Sequence, residues 1–509
     1  MTVKYISPHD LKDHHYMYVL ERLKNGFDKH PLAKDRTVAI VGAGMAGLVS
    51  AWILDSVGFN VVVYEASSRV GGRVKTLREG FTSGLHVEAG AMRIPKEHKL
   101  TRELCDHFKL ERIKFPAKDV NTWVFINGKH VRWSEYEKGQ FEFGPPYTKG
   151  RSGSQAFKDT TQCLKELYLE NPSKLDHISL EEYLRVFTKD DSINPVTNES
   201  IGDIRITNAD IDLIGFEFGA ADLRASLLEA YRDHVNIDDK DKDQIEGGMD
   251  QLPKEIAKCV IDNIRYNARV ISIRRGGPKK FEIYYDHTIT HRNMEPGAAD
   301  FVILAAPFSA MTHVRLEDVL AKSNRLHAIR NLHYENATKI ALEFTDRFWE
   351  KQGIHGGHSV TDLPIRWVYY PSDAEHPQDS DRGILLASYT WGDDSLRWGS
   401  LNNDDRIRFA LRDIAKLHKM TDAECEKLFV GGMSYSWAED EYSFGAFSLC
   451  NPHQEAELFD ATWMPFDGIH FAGEHTSLKH AWIEGAVESG IRAACEIYQD
   501  ATDISLWTQ

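Results

Sequence analysis

Residues 37–48 read Thr-Val-Ala-Ile-Val-Gly-Ala-Gly-Met-Ala-Gly-Leu, and residues 61–65 read Val-Val-Val-Tyr-Glu. This order predicts a buried strand, a glycine turn, a helix, and a second strand ending in an acid. Each part suits the holding of a dinucleotide. Gly42 permits the tight turn, Gly44 lets the backbone approach a pyrophosphate, and Gly47 lets the helix pack closely on the sheet. The helix N-terminus, opened by Met45 and Ala46, offers free N–H groups and a positive dipole end to phosphates. Glu65 lies 23 residues after Gly42, where a carboxylate can accept from ribose hydroxyls. G-x-G-x-x-G alone is weak; strand, turn, helix, strand and acid in order are strong.

A second glycine pair follows in Arg69-Val-Gly-Gly-Arg73. A nicotinamide enzyme has no evident need of it so soon after the ribose acid. A longer, permanently held dinucleotide does, because another backbone stretch and a cation can close over its pyrophosphate. The extension is characteristic of FAD proteins related to glutathione reductase and the amine oxidases, so FAD is favoured over NAD.

With 509 residues the chain is long enough for two or three domains with well-buried cores. Its net charge of −16 argues against a broad nucleic-acid footprint and favours a small-molecule enzyme. Six scattered cysteines, with no C-x-x-C, suit buried thiols in a reducing compartment, neither a disulfide framework nor a metal site. The apolar run 301–306 is too short to span a membrane. No apolar signal region opens the chain, so the expected location is cytoplasmic, a mature secreted form being the alternative.

Ser7-Pro8-His9-Asp10 reads as the start of a helix carrying Tyr16, Leu20, Leu23 and Phe27 on one face and ending at Asn25-Gly26. From 131 to 235 strand patterning gives way to charged helical periods, with a capping box at Ser179-Leu-Glu-Glu182. Asp238–Asp243 is a charge run that reads as a solvated loop. Strand signals return at 267–273, 281–285 and 300–304, then at 339–344 and 383–389, and the C-terminus regains nucleotide-fold character at 468–490. The expected fold is mixed α/β: a glutathione-reductase-like FAD-binding Rossmann domain with a mixed-sheet substrate domain and a helical insertion. The FAD domain is assigned to 34–75, 240–325 and 460–500. The substrate domain takes 5–30, 76–130 and 326–440, and the helical domain 131–235.

Taken together, the two glycine turns, Gly90-Ala-Met-Arg93, Gly247-Gly-Met-Asp250 and Phe471-Ala-Gly-Glu-His-Thr476 resemble the flavin-dependent amine oxidases. Within them the chain is most similar to the L-amino acid oxidases. Phe348-Trp-Glu, Gly353-Ile-His-Gly-Gly357, Thr361-Asp-Leu-Pro364 and Tyr369-Tyr-Pro371 occur there in the same order. The similarity runs from about residue 36 to 500. It implies oxidation of an L-amino acid, with hydride passing from Cα to flavin N5. Oxygen then reoxidises the flavin to give hydrogen peroxide, and the imino acid hydrolyses to a 2-oxo acid and ammonia. The implied partners are the amino acid and O2, with no nucleic acid or membrane; relatives are commonly dimers or tetramers.

The resemblance also assigns roles. Arg93 matches the arginine that grips the substrate carboxylate, a task its planar fork performs better than lysine. Tyr389 matches the tyrosine sharing that carboxylate; alone it would read as a core tyrosine with a satisfied hydroxyl. Trp437 and Trp482 match aromatic walls near the flavin and the reacting amine. Ala481 stands where venom-type relatives carry glycine. Lys339 matches the catalytic lysine that holds a water near flavin N5. His234 falls loosely where some relatives have an active-site histidine, offset by about two residues. Cofactor contacts are implied for Gly42, Ala43, Gly44, Met45, Ala46, Gly47, Glu65, Ala66, Arg73, Ala91, Met92, Arg93, Val270, Gly473, Glu474, Trp482 and Ile483. Glu474 is expected to take a ribityl hydroxyl or to reach the pyrophosphate through water. Monoamine oxidases attach flavin through a cysteine, and the matching position here is Ala446, so non-covalent FAD is expected. Three alternatives stay open: a decarboxylating flavin monooxygenase of amino acids, a monoamine or polyamine oxidase, and a non-catalytic flavin-binding protein.

Overall fold

The computed structural model describes residues 5–147, 150–189, 192–236, 241–372 and 380–507. Its first sheet has five parallel strands in the order Ile264–Arg265, Asn60–Tyr64, Thr37–Val41, Phe301–Leu304 and Ile469–Phe471. The central strands are nearly continuous runs of valine, isoleucine and leucine, as expected where both faces of a parallel sheet are covered. Helix Met45–Ser56 follows Thr37–Val41 and has Gly44 as its N-cap.

The last helix, Ile483–Thr502, returns from the far end of the chain to pack on Met45–Ser56. Gly490 makes the contact possible: a Cβ there would lie 2.5 Å from the Ala46 carbonyl oxygen. Ser50 Oγ donates to the Gly490 carbonyl at 2.9 Å and pins the crossing. The glycines legible in 482–490 are therefore packing glycines. An antiparallel sheet built from Ala268–Arg275, Phe281–His287, Arg292–Asn293 and Gly297–Ala299 flanks the parallel one.

A second layer is a seven-stranded mixed sheet. Its order is Phe429–Ser436, Ala337–Phe344, Gly383–Trp391, Trp367–Tyr369, His358–Thr361, Trp123–Ile126 and Lys129–Arg132. Every residue of Ala337–Phe344 is buried. The region from 133 to 236 is helical among its described residues, and its capping box at Ser179 and Glu182 forms as expected. All six cysteines are free thiols.

Two expectations need correction. The first helix spans Asp13–Asn25, and Ser7–Leu11 forms a turn ahead of it. Its buried face is Tyr16, Val19, Leu20 and Leu23, and Gly26 at φ +88° ends it. The charge run is also only partly what it resembled. Asp238, Asp239 and Lys240 lie outside the described residues, but Lys242–Ile245 is a buried strand between Ile94–Pro95 and Arg112–Phe115. Asp243 tolerates burial because Arg102, Lys114 and Arg112 approach it at 2.5, 3.1 and 3.6 Å. Paired charges can enter an interior that isolated ones cannot.

Candidate active site

A cavity of about 940 Å³ runs from the glycine turn of the parallel sheet to the face of the seven-stranded sheet. At one end lie Gly42, Gly44, Met45 and Ala46, with Glu65 and Ala66 opposite. Gly44 has nothing within 4 Å of where its Cβ would stand. Gly71, bridged to Gly44, and Gly72 bring the second glycine turn against the first, both with positive φ. Glu65 is buried and accepts from the Ala43 amide at 2.7 Å and from the Ser67 amide and hydroxyl at 2.9 and 2.7 Å. Burial raises its carboxyl above the usual range. Those three donors leave one acceptor site of about four for a ribose hydroxyl.

Ala43 and Gly47 are not among the cavity-lining residues. Ala43 serves through its amide on Glu65, and Gly47 through packing: a Cβ there would fall on the Gly42 carbonyl oxygen.

Midway, half-buried Arg73 and buried Glu474 form an ion pair at 2.7 Å. Glu474 also accepts from the Ser448 amide at 3.2 Å, the Ser448 hydroxyl at 2.6 Å and the Ala481 amide at 2.9 Å. Burial works against its charge, yet Arg73 and the surrounding donors bring its carboxyl down to about 2. Four protein donors fill the capacity of a carboxylate. Glu474 therefore lines the cavity and orders Arg73 and Ala481, where the sequence reading expected a ribityl hydroxyl or a water-mediated reach to the pyrophosphate. Ala446 lines the same stretch, and no cysteine does.

At the far end the strands set the chemistry. Lys339 and Tyr389 are directly opposed across neighbouring antiparallel strands, so both side chains stand on one face. Lys339 Nζ sits 4.6 Å from the Tyr389 ring centroid. It donates to the Gly90 and Glu88 carbonyls at 2.7 and 3.1 Å and to Met92 Sδ at 3.5 Å. Burial pulls its pKa down against the attraction of Glu88, whose own carboxyl burial pushes up. The thioether is the weakest of the three acceptors, hence the one a water would displace.

Arg93 reaches the same end, with Nη1 3.3 Å from the Tyr369 hydroxyl and its guanidinium 5.6 Å from the Trp482 ring centroid. Burial pushes the Tyr389 hydroxyl up to about 12, so it stays a neutral donor. Trp437 is buried and gives its indole N–H to the Ala89 carbonyl at 2.9 Å; Trp482 gives its own to Asp233 at 2.9 Å. Ala91, Met92, Val270, Gly473, Ala481 and Ile483 complete the predicted residues that line the cavity.

His234 does not line it. Its ring packs 4.2 and 4.9 Å from those of Phe218 and Phe157, and its Nε2 lies 3.8 Å from Asp222. One position along a helix turns a side chain by about 100°, and its neighbour Asp233 is the one that faces the cavity. Asp233, Tyr369 and Trp391 were missed by the sequence reading. Tyr369 stood in a quoted family segment without a role, and Asp233 had no signal beyond its adjacency to His234.

Comparison with known proteins fits this geometry. The model of the flavin-containing amine oxidoreductase family matches residues 45–498. The chain belongs to that family. The YobN protein of Bacillus subtilis (strain 168) is 35% identical over 484 residues, covering 93% of this chain and 97% of that protein. An L-amino-acid oxidase of Pseudechis australis is 32% identical over 491 residues, covering 95% and 90%. Among solved structures, the cyclohexylamine oxidase of Brevibacterium oxydans IH-35A shares the fold with a TM-score of 0.69, at 19% identity, covering 92% of this chain and 99% of that one. Putrescine oxidase bound to putrescine does so at 0.66 and 20%, covering 91% and 99%.

Among the described residues no helix is long and apolar enough to cross a membrane. Two glycines separate binding from folding in this family member. Gly44→Ala should fold like the parent and lose flavin, because its methyl enters the cavity end. Gly47→Ala should destabilise the protein itself, by about 1–3 kcal/mol of overpacking against the Gly42 carbonyl. Flavin absorbance per mole and thermal melts of the flavin-stripped proteins read the two effects; equal melts for both stripped variants would contradict the distinction.

Proposed function

We propose that this flavin-containing amine oxidoreductase converts L-amino acids to 2-oxo acids, releasing ammonia and hydrogen peroxide. The observation that carries the reading is the pair of donors at the far end of the cavity. There Arg93 and the neutral Tyr389 hydroxyl stand beside two tryptophans. Cyclohexylamine and putrescine, the amines that name the structural neighbours, have no carboxylate to offer such a pair.

FAD held by the cavity end at Gly44, Glu65 and Arg73 would supply the two-electron oxidation at Cα, with O2 as the final electron acceptor. The chain's own residues do the rest. Arg93 takes the carboxylate as a charged fork and Tyr389 adds a neutral donor. Trp437 and Trp482 wall the reacting carbon and exclude water from it. Lys339, held by two carbonyls and more weakly by Met92 Sδ, is placed to hold a water beside the reacting atoms. The imino acid then hydrolyses in water without further help.

Amino acid added anaerobically to the yellow protein should bleach it in the L-form and leave it unchanged in the D-form. Bleaching by simple amines alone would contradict the reading. With alanine at position 446, the flavin is held without a covalent bond, and acid precipitation should release it; pigment staying with the pellet would refute that.

A further inference from the structure

The helix Leu227–Asn236 of the helical region reaches the cavity through Asp233. Glu229 and Asp233 are four residues apart and share one face. Glu229 holds His480, with carboxylate oxygens 2.9 and 3.0 Å from Nδ1, and Asp233 accepts the Trp482 indole N–H at 2.9 Å. Between them stands Ala481, whose φ of +65° lies in the left-handed region that disfavours any residue with a Cβ. Its amide is fastened to Glu474. Three consecutive residues are thus tied to three acids, and the middle one is strained.

We propose that Glu229 and Asp233 form a positioning clamp, holding the strained 480–482 turn so that Ala481 and Trp482 keep their places on the cavity wall. This rests on reading that cavity as the flavin and substrate site. Strain of this kind persists only where its surroundings over-determine it. Here the determinants are a buried pair, His480 with Glu229, and an indole hydrogen bond reaching a carboxylate at the cavity. His480 is also faced by Glu474, Glu455 and Arg232, by His475, and by Cys450 Sγ at 4.0 Å from Nδ1. Burial opposes its charge, but Glu229 raises its pKa to about 9, so the imidazole is charged at neutral pH. Neither acid touches the reacting atoms through a bond of its own; both act through the turn.

The test uses the holoenzyme and four variants: Asp233→Ala, Glu229→Gln, Ala481→Gly, and Asp233→Ala combined with Ala481→Gly. Glycine adopts φ +65° without penalty, so it removes the need for a clamp. Asp233→Ala should lower kcat/KM about tenfold, the scale on which a left-handed alanine competes with its ordinary conformers. In the Ala481→Gly background the same substitution should cost less than about threefold. Glu229→Gln should behave alike; if its buried partner prevents folding, Asp233→Ala, at an exposed site, still decides. A loss of equal size in both backgrounds, or no loss, overturns the clamp. The visible circular dichroism of the bound flavin reads the turn without turnover. It should change in Asp233→Ala and recover in the double variant even if amino acids prove not to be the substrates; an unchanged signal in Asp233→Ala also overturns the clamp.

Discussion

Replacing Arg93 by alanine should reduce kcat/KM for L-amino acids by a hundredfold to several thousandfold while FAD stays bound. Removing one partner of a buried, hydrogen-bonded charge pair costs about 3–5 kcal/mol, and each 1.4 kcal/mol is about tenfold. The substrate carboxylate would lose its charged fork in a site whose other donor, the Tyr389 hydroxyl, is neutral. Arg93→Lys should recover only part of the loss, because an ammonium is a point charge without the planar geometry. Steady-state kinetics with the flavin-to-protein ratio measured alongside checks this. Near-parental kcat/KM in Arg93→Ala would remove the carboxylate anchor from the account.

The second large effect belongs to Arg73. Glu474 is buried and Arg73 half-buried, their side chains being 6% and 20% exposed. Arg73→Ala leaves Glu474 buried with only neutral donors at the ion-pair distance, at a cost of about 3–5 kcal/mol. That is a large share of a typical stability of about 5–15 kcal/mol. The pH dependence has a definite sign. In the parent the Glu474 carboxyl is depressed to about 2. Its stabilising contribution is present above the ordinary glutamate range and is lost only as pH falls towards 2. Without Arg73 that depression shrinks, so acid unfolding should begin at higher pH, and flavin retention should fall because Arg73 also lines the cavity. An unchanged acid midpoint with full flavin content would show that the pair holds neither fold nor cofactor.

The nucleotide end was legible because its physics is local. A glycine turn, a helix start and a ribose acid lie within thirty residues, and each residue type has one backbone or charge job there. The pairing of Lys339 with Tyr389 was legible only as a resemblance, since the register that sets them side by side spans fifty residues of chain. Glu474 shows a different limit. Its identity pointed to a ligand, but its acceptor capacity is taken by nearby Ala481, by Ser448 26 residues back, and by Arg73 401 residues away. Burial of Asp243 escaped for the same reason: charge runs look solvated until their counter-ions, here Arg102 and Lys114, fold beside them. His234 lies one helical position from Asp233, which lines the cavity, a difference no periodicity could resolve without knowing where the helix faces.

The most direct test of the central claim is a peroxide-coupled assay of the purified yellow protein against the L-amino acids, their D-forms and simple amines. Hydrogen peroxide and the matching 2-oxo acid are expected in equal amounts, from L-amino acids alone. Turnover of amines without a carboxylate, or amide and carbon dioxide in place of peroxide and oxo acid, would contradict it.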